Sequence, residues 1–493
     1  MSLLSNAKWV SLSQFGRIII QLISLTVLTR FIPPADYGLM ALGTVVMNFV
    51  FIIRDLGTAS AIIQRKEVDD DILNSVFWLN VTMGVGLCIL IILCTPLIEL
   101  LFKNEKLDNI LYLLCFCFPL ASIGSAHQAL MERNSHFKKI AIIELLSSLS
   151  GFVVALLVAI NNGGVYALVY QLICSSFISS ILFFYLSSWT PSLHFKFEGV
   201  KKIIGFSSRL TVFNLVNYFS RNADAMIISR KYDANILGAY SLAYRIMLFP
   251  LQSLTFIASR SLYPILSRNQ DDLKLIREIY LKTIFIISMI TIPLMLGLVF
   301  LRTPFITIAL GPKWAITSNI LLWLAPTGII QSILSCSGSI LMSTNNTKTL
   351  MLLGIFGAAI QVLSFFIGSL FSINIFVFAY FIANVINALV VLYFTFKSIK
   401  LNIYSFCKIL LIPTLSCSAM IIALHFVKKI IYINNVVNDV SYLIIQAIIG
   451  CIVYFIFFYI FVNICLRFKI MSENMIPDFL LRIKFFSHKR FLN

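Results

Sequence analysis

Two stripes of polar side chains, set 200 positions apart, lie on segments that are otherwise apolar enough to cross a membrane. The first stripe consists of Gln14, Arg17, Gln21 and Ser24, and the second of Asn214, Asn217, Arg221 and Asp224. Spacings of three and four residues place each set on one face of a helix. An arginine at membrane depth is costly unless it faces water, protein or an anionic ligand. The stripes therefore predict a duplicated membrane protein with a hydrated, cationic cavity between its halves.

Composition sets the fold class. Hydrophobic residues make up 59% of the 493 residues and charged residues only 12%. A membrane-spanning helix with its loop needs roughly 35 residues, so the chain accommodates about 14 spans. Backbone groups in lipid must pair internally, and the helical polar spacing favours helices over a barrel. We therefore predict an all-α polytopic membrane protein. The net charge of +18 comes mostly from loops, so nucleic acid is not expected as a partner.

The predicted spans and their loops set the orientation of the chain. The spans are 9–29, 38–62, 75–98, 110–130, 141–160, 165–187, 203–229, 238–264, 281–301, 319–343, 350–371, 375–396, 409–427 and 443–465. Loops on the side of the N-terminus hold many more lysines and arginines than the opposite loops, for example Lys138, Lys139, Lys201 and Lys202. The positive-inside rule therefore predicts that both termini are cytoplasmic.

An internal repeat supports the duplication. The segment LTRFIPPADYGLMALG (28–43) aligns without gaps with ISRKYDANILGAYSLA (228–243), which matches Arg30 with Arg230 and Gly38 with Gly238. Six-helix units repeated at this offset are parallel and related by an axis along the membrane normal. The predicted organisation is an N-lobe (1–190), a cytoplasmic linker (191–202), a C-lobe (203–400), a two-helix appendage (401–465) and a basic cytoplasmic tail (466–493).

The deep arginines are the main candidates for function. They are Arg17, Arg54, Arg221 and Arg245. Their planar guanidinium groups bind phosphate or carboxylate oxygens bidentately, so a cavity rich in arginine and poor in free carboxylate prefers an anion. The alternative is that they tie helices together, as Arg221 can with Asp224 three residues on. The other candidate cavity residues are Gln14, Gln21, Asn214 and Asn217, and the candidates for proton or sodium coupling are Asp224, Asp55 and Glu144.

Other chemistry has little support in the sequence. His127 stands alone among apolar neighbours, which favours a satisfied core histidine over a proton carrier. The ten cysteines form no CxxC pair, and most lie in apolar runs that are typical of a packed core. No Walker A sequence and no nucleophile elbow occur. We therefore expect no catalytic residue, no metal and no cofactor.

The chain resembles a known family in several segments. The segments LTRFIPPADYGLMAL and DLGTASAIIQRKEVDDDILNSVFWLNVTMGVGL are similar to the start of the Wzx-type polysaccharide (O-antigen) flippases. These belong to the multidrug/oligosaccharidyl-lipid/polysaccharide (MOP, MATE-like) exporter superfamily. The resemblance continues through LGAYSLAYRIMLFPLQSLTFIASRSLYPILSRNQDDLKLIR and LGPKW, and it is strongest to the colanic-acid (WzxC) type.

The resemblance implies a fold and an activity. The fold is a V of two six-helix lobes plus two C-terminal helices, and the activity is transport by alternating access, without an enzymatic step. The implied substrate is an undecaprenyl-pyrophosphate-linked, anionic oligosaccharide crossing the bacterial cytoplasmic (inner) membrane. Arg17 and Arg221 match the implied head-group role best by position, followed by Arg54 and Arg245. Membrane lipids and the polysaccharide polymerase machinery are implied partners.

Three alternatives stay open at this point. A cation-coupled drug exporter of the same superfamily needs a membrane carboxylate rather than arginine. A flippase for a peptidoglycan lipid precursor differs only in the head group. A membrane scaffold that transports nothing has no need of two polar stripes.

Overall fold

A computed structural model describes residues 3–54, 62, 69–102, 104–193, 218–219, 221–270, 272–434 and 439–467, with side chains except at 3–7, 250–261, 263–264 and 431–434. Every extended element in this part of the chain is a helix. The described residues form two compact units, Met1–Ser241 (unit 1) and Leu242–Asn493 (unit 2). The lobe boundaries at 190 and 203 stay predictions.

Unit 1 begins with seven helices: α1 (Leu3–Phe31), α2 (Pro34–Arg54), α3 (Asp70–Phe102), α4 (Leu107–Leu114), α5 (Cys117–Arg133), α6 (Phe137–Ile160) and α7 (Val165–Leu186). An eighth, α8, covers 221–231. The helix α9 (Ala234–Arg268) begins in unit 1 and ends in unit 2. Helix α6 packs against α1 and α7, while α5 packs against α3 and α7. The sequence Asn161-Asn162-Gly163-Gly164 turns the chain between α6 and α7, with Gly164 at φ 55°.

Unit 2 contains seven further helices: α10 (Leu273–Ala309), α11 (Ala315–Leu334), α12 (Ser337–Ser343), α13 (Thr347–Gly368), α14 (Ile373–Ile399), α15 (Ile403–Asn434) and α16 (Asp439–Arg467). The Asp272 side chain caps α10 by accepting from the backbone N–H groups of Lys274 and Leu275. A buried apolar cluster joins α10 to α15 and α16, including Phe285, Cys417 and Phe458. The last two helices therefore share a core with α10.

The predicted spans agree with the helices. Within the described residues, 12 helical segments are long and apolar enough to cross a membrane. They match 12 of the 14 predicted spans, with α4 and α5 forming one and α11 and α12 another. Of the other two, the span at 203–229 lies largely outside the described residues, and the span at 238–264 corresponds to α9. The all-α polytopic fold is confirmed.

The two aligned glycines of the repeat lie at one helix–helix contact. A Cβ atom on Gly38 would overlap the carbonyl oxygen of Ala234, and one on Gly238 would overlap that of Pro34. Both positions therefore need glycine, because the first turns of α2 and α9 approach backbone to backbone. The contact is reciprocal, since Pro34 and Ala234 are themselves 200 positions apart.

Candidate functional site

Unit 1 contains a polar cavity with a volume of about 340 Å³. Five helices contribute to it: α1, α2, α5, α6 and α7. Its lining residues are Arg17, Arg54, Ala121, Gly124, Ser125, Gln128, Glu144, Ser147, Ser148, Ser175, Ser176, Ser179, Ser180 and Phe183. Two predicted cavity residues, Arg17 and Arg54, thus share one space with Glu144, which the sequence suggested only as an ion-coupling candidate.

Arg17 lies at the centre of a small polar network. Its Nη2 donates to Gln14 Oε1 at 2.7 Å, and its Nη1 lies 3.4 Å from Glu144 Oε1. The second carboxylate oxygen of Glu144 accepts from the Ser13 hydroxyl at 2.8 Å. The Arg17 side chain remains 42% exposed and that of Glu144 21%, so both charges are open to the cavity. Arg17 can therefore still bind a ligand.

The Arg17–Glu144 ion pair changes the expected charge of the cavity. The sequence predicted a cavity with arginines and little free carboxylate, and it did not pair these two residues. With Arg17, Arg54 and Glu144 as its formally charged lining residues, the described cavity has a net charge of +1. It retains a preference for an anion, but a weaker one than two unopposed arginines would give.

Arg54 reaches the cavity from the last position of α2. Its guanidinium carbon lies 4.9 Å from the centre of the Phe51 ring, which is a cation–π distance. The aromatic ring therefore helps to hold the guanidinium in place beside the cavity.

The first polar stripe divides between two environments. Ser24 is buried, and its hydroxyl accepts from Gln171 Nε2 of α7 at 3.1 Å. Arg17 pairs with Glu144 of α6 and donates to Gln14, whereas Gln21 is exposed. The stripe therefore contributes both to the cavity and to the packing of α1 against its neighbours.

The second stripe is described only in part. Asn214, Asn217 and the ion-coupling candidate Asp55 lie outside the described residues. Arg221 is exposed, and no ion pair joins it to Asp224 among the described interactions. Asp224 is instead buried, and its Oδ2 accepts from the Tyr240 hydroxyl at 2.7 Å. The suggested Arg221–Asp224 pair is therefore wrong for this structure, because the carboxylate turns toward α9.

The remaining arginine candidate lies elsewhere. Arg245 is exposed on α9 and belongs to unit 2. Neither Arg221 nor Asp224 lines the unit 1 cavity. The head-group roles of Arg221 and Arg245 stay predictions.

His127 is a core residue, as expected, but its polar atoms are not satisfied. The side chain is fully buried against the rings of Phe77, Phe184 and Trp189. Neither ring nitrogen has a hydrogen-bond partner among the described residues. Within the same part of the chain, no group of three or more His, Cys, Asp or Glu side chains is arranged to hold a metal ion.

The serines of the cavity were not singled out in the sequence. A signal was present in SSFISS (175–180), where Ser175, Ser176, Ser179 and Ser180 recur at intervals of one and three residues. That spacing places the four hydroxyls on one side of a helix. Serine is common in membrane helices, so the spacing alone does not identify a cavity. The position of these serines beside α5 and α6 becomes visible only in the structure.

Comparison with known proteins decides the family. The family model described as "Polysaccharide biosynthesis protein" matches residues 27–319. The chain belongs to this family. The match covers four of the five cavity helices, α2, α5, α6 and α7, the last five residues of α1, and the first part of unit 2. Arg17 lies before the matched residues.

Two curated proteins are similar to this chain over most of their length. The lipopolysaccharide biosynthesis protein WzxC of Escherichia coli (strain K12) is 29% identical over 342 residues, which are 69% of this chain and 70% of the relative. The teichuronic acid biosynthesis protein TuaB of Bacillus subtilis (strain 168) is 29% identical over 429 residues, 85% of this chain and 87% of the relative. The resemblance to the polysaccharide flippase family is confirmed.

Solved structures confirm the superfamily fold. The lipid II flippase MurJ, in an inward closed conformation, aligns with a TM-score of 0.71 and 19% identity, over 92% of this chain and 98% of that one. An inward-facing MATE family transporter of the MOP superfamily aligns with a TM-score of 0.61 and 16% identity, over 79% and 94%. The chain is therefore a multi-pass membrane protein of the polysaccharide biosynthesis family, with the fold that these transporters share.

Proposed function

We propose that this polysaccharide biosynthesis protein moves an undecaprenyl-pyrophosphate-linked oligosaccharide repeat unit across the bacterial cytoplasmic membrane. The product serves a surface polysaccharide such as O-antigen, capsule or exopolysaccharide. The observation that carries the proposal is the polar cavity of unit 1, where Arg17 and Arg54 meet hydroxyl groups between apolar helices. A saccharide linked to a lipid through phosphates needs such a path, because its tail can stay in the bilayer while its head group cannot.

The mechanism follows from the cost of taking the head group out of water. Arginines in the cavity offset that cost through charge-assisted hydrogen bonds to phosphate or carboxylate oxygens. Rocking of the two parallel repeats exposes the path to each side of the membrane in turn. In this proposal both termini are cytoplasmic, and Arg221, Arg245, Gln14, Gln21, Asn214 and Asn217 extend the polar path.

The coupling ion acts through a carboxylate in this proposal. Glu144 faces the cavity and is balanced by Arg17, whereas Asp224 is buried and accepts hydrogen bonds from Tyr240 and the Ala225 backbone. The pairing of Glu144 also argues against a drug exporter that uses this cavity for cations, because Arg17 already neutralises its carboxylate.

The test measures polymer export and membrane abundance together for Arg17→Ala, Arg17→Lys and the Arg17→Ala/Arg54→Ala double variant. We expect the double variant to lose at least about 90% of export at normal abundance, since the loss of one charged hydrogen bond costs about 1.5–3 kcal/mol. Lysine keeps the charge but not the planar donors, so polymer export by Arg17→Lys should lie between that of the wild type and that of Arg17→Ala. Normal export by a well-expressed double variant would refute the proposed head-group role.

A further inference from the structure

One end of unit 2 combines positive charge with exposed apolar surface. It is the end at which α10 and α15 begin and α14 and α16 end, because residues from all four helix ends share one buried cluster. Four of its cations form what we call the basic rim: Arg277 near the start of α10, Lys397 and Lys400 at the end of α14, and Lys408 near the start of α15. The positive-inside rule accounts for the number of such cations, but not for how they are arranged.

Two members of the basic rim are held in place by neighbouring groups. Arg277 Nε donates to Leu273 O at 3.0 Å, and its Nη1 donates to Lys400 O at 3.4 Å, so the guanidinium bridges α10 and the end of α14. Lys408 Nζ lies 4.3 Å from the centre of the Tyr404 ring, which is a cation–π distance. Both cations are only partly exposed. They therefore keep defined positions at the surface, unlike lysines that extend into water.

Few carboxylates balance the basic rim. In the described part of this end, the acidic residues are Asp272 and Glu278. The Asp272 carboxylate already accepts hydrogen bonds from two backbone N–H groups at the start of α10. Among the described residues, none of the four cations of the rim forms an ion pair. The rim is therefore complementary to an anionic partner.

Exposed apolar stripes run along α14 and α15 up to the basic rim. The stripe on α14 is Ile382, Ile386, Leu389 and Tyr393, and the stripe on α15 is Tyr404, Leu411, Leu415, Ile422 and Phe426. Intervals of three, four and seven residues place each stripe on one helix face, together with Lys397 on α14 and Lys408 on α15. The rings of Phe396 and Phe406 lie 4.9 Å apart, so the two helix ends are neighbours. Apolar surface and fixed charge therefore form one continuous surface.

We propose that the basic rim and the two stripes bind an anionic phospholipid, with its phosphate at Arg277, Lys400 and Lys408 and its acyl chains along α14 and α15. The α15 stripe from Leu411 to Phe426 extends for about 23 Å at 1.5 Å per residue, which exceeds the roughly 15 Å of one leaflet. A soluble phosphate compound would use the rim but not the stripes. The proposal concerns the membrane around unit 2, so it does not depend on which molecule the protein transports.

The first experiment compares two lipids that differ only in head-group charge. Purified protein in detergent is titrated with phosphatidylglycerol and with phosphatidylcholine of the same acyl chains, and bound lipid is counted by native mass spectrometry. Phosphatidylglycerol should bind at least about tenfold more tightly, because each basic residue near an anionic head group contributes to its affinity. Equal binding of the two lipids, which is expected if the rim serves an acidic protein instead, would overturn the proposal.

A competitor separates a lipid from a soluble phosphate. Glycerol phosphate carries the head-group charge without acyl chains, so it should not displace phosphatidylglycerol at equal concentration. Displacement at equal concentration would show that the stripes contribute nothing, and it would overturn the proposal. Raising the salt concentration from about 0.05 M to about 0.5 M should weaken phosphatidylglycerol binding several-fold and leave phosphatidylcholine binding unchanged.

Two double variants that remove the same charge from opposite ends of α15 test the residues directly. Lys400→Gln/Lys408→Gln should bind phosphatidylglycerol about tenfold more weakly, with phosphatidylcholine binding unchanged. The matched control is Lys428→Gln/Lys429→Gln, because both of these lysines are exposed near the other end of the helix. The control should stay within about twofold of the wild type. Equal losses in the two double variants would show that only net charge matters, which would overturn the site.

A last variant tests the arginine without changing the charge. Arg277→Lys loses the planar donors, so phosphatidylglycerol should bind about threefold more weakly. Because Arg277 also bonds two backbone carbonyls, thermal midpoints in phosphatidylcholine and detergent establish that the variant is folded. If it is unstable, Lys408→Gln alone provides the test, with an expected loss of about threefold. Unchanged phosphatidylglycerol affinity in a folded variant would remove that residue from the site.

Discussion

The two units both bury polar side chains among apolar helices, but they use them differently. In unit 2, Gln331 Nε2 donates to the Tyr380 hydroxyl at 2.9 Å and to Asn384 Oδ1 at 3.2 Å. Asn384 Nδ2 in turn donates to the Tyr380 carbonyl at 2.9 Å. These three side chains are neutral, and that of Gln331 is bonded to the other two. In unit 1, Arg17 and Glu144 are charged, partly exposed and 3.4 Å apart beside a cavity.

The difference shows what separates a helix-packing contact from a binding site. A polar residue on an apolar helix has the same appearance in sequence in both cases. In unit 2 the side chains use their hydrogen-bonding capacity on one another, and such bonds tie membrane helices together. In unit 1 the paired charges of Arg17 and Glu144 stay partly exposed beside the cavity. In the proposed function, the Gln331–Tyr380–Asn384 cluster stabilises the fold and the Arg17–Glu144 cluster contributes to binding.

The largest effect should come from breaking the unit 2 cluster. Asn384→Leu removes one hydrogen-bond acceptor of Gln331 at a buried position. The free energy of unfolding should therefore fall by about 1–2 kcal/mol, and membrane abundance should fall several-fold. Export per molecule should stay normal. Thermal midpoints and immunoblots of membranes measure the first two quantities. Glu144→Gln provides the contrast, with a change below about 1 kcal/mol, because the ion pair is partly exposed.

A second variant asks whether the unit 1 cluster acts on transport alone. Arg54→Gln removes the charge and keeps a polar side chain, so export should fall about fivefold while abundance and thermal midpoint stay within error. Export by Arg54→Lys should fall less, because the charge remains. If Arg54→Gln instead lowers abundance and leaves export per molecule unchanged, the two units do not differ in the way described.

The smallest effect sharpens the comparison within α1. Ser24→Ala removes the hydrogen bond from Gln171 at a buried position, which should lower the free energy of unfolding by about 1 kcal/mol. Gln21→Ala changes an exposed side chain and should stay within about 0.5 kcal/mol. Chemical denaturation in detergent measures both. Equal losses of unfolding free energy in Ser24→Ala and Gln21→Ala would mean that both residues of the stripe pack against protein.

Much of this fold could be predicted from sequence because its signals are local. Span length, apolar composition and the turn at Pro33-Pro34 depend on neighbouring residues, and the helices from α3 to α7 follow them closely. The 200-residue offset also led to Gly38 and Gly238, which meet in the structure. These features need no knowledge of which helix lies beside which.

The site was harder to predict because its contacts join distant parts of the chain. Glu144 could be proposed as a membrane carboxylate, but its pairing with Arg17 depends on α6 packing against α1. Asp224 had a sequence neighbour of opposite charge at Arg221, and helical spacing favoured that pair. The structure turns Asp224 toward Tyr240 instead, because a phenol on α9 reaches the buried carboxylate. Local spacing gives the possible partners, and packing selects among them.

The contact at Gly38 and Gly238 has the form of an interface between identical molecules. Each glycine meets the carbonyl oxygen four residues before the other, so the surface is complementary to its own copy. Two-fold homodimers are built in this isologous way. A single-copy ancestor of the repeat, with one glycine at this position, could pair with itself through the same helix turn. Fusion of two such copies would retain the dimer contact inside one chain, and each glycine would then constrain the other.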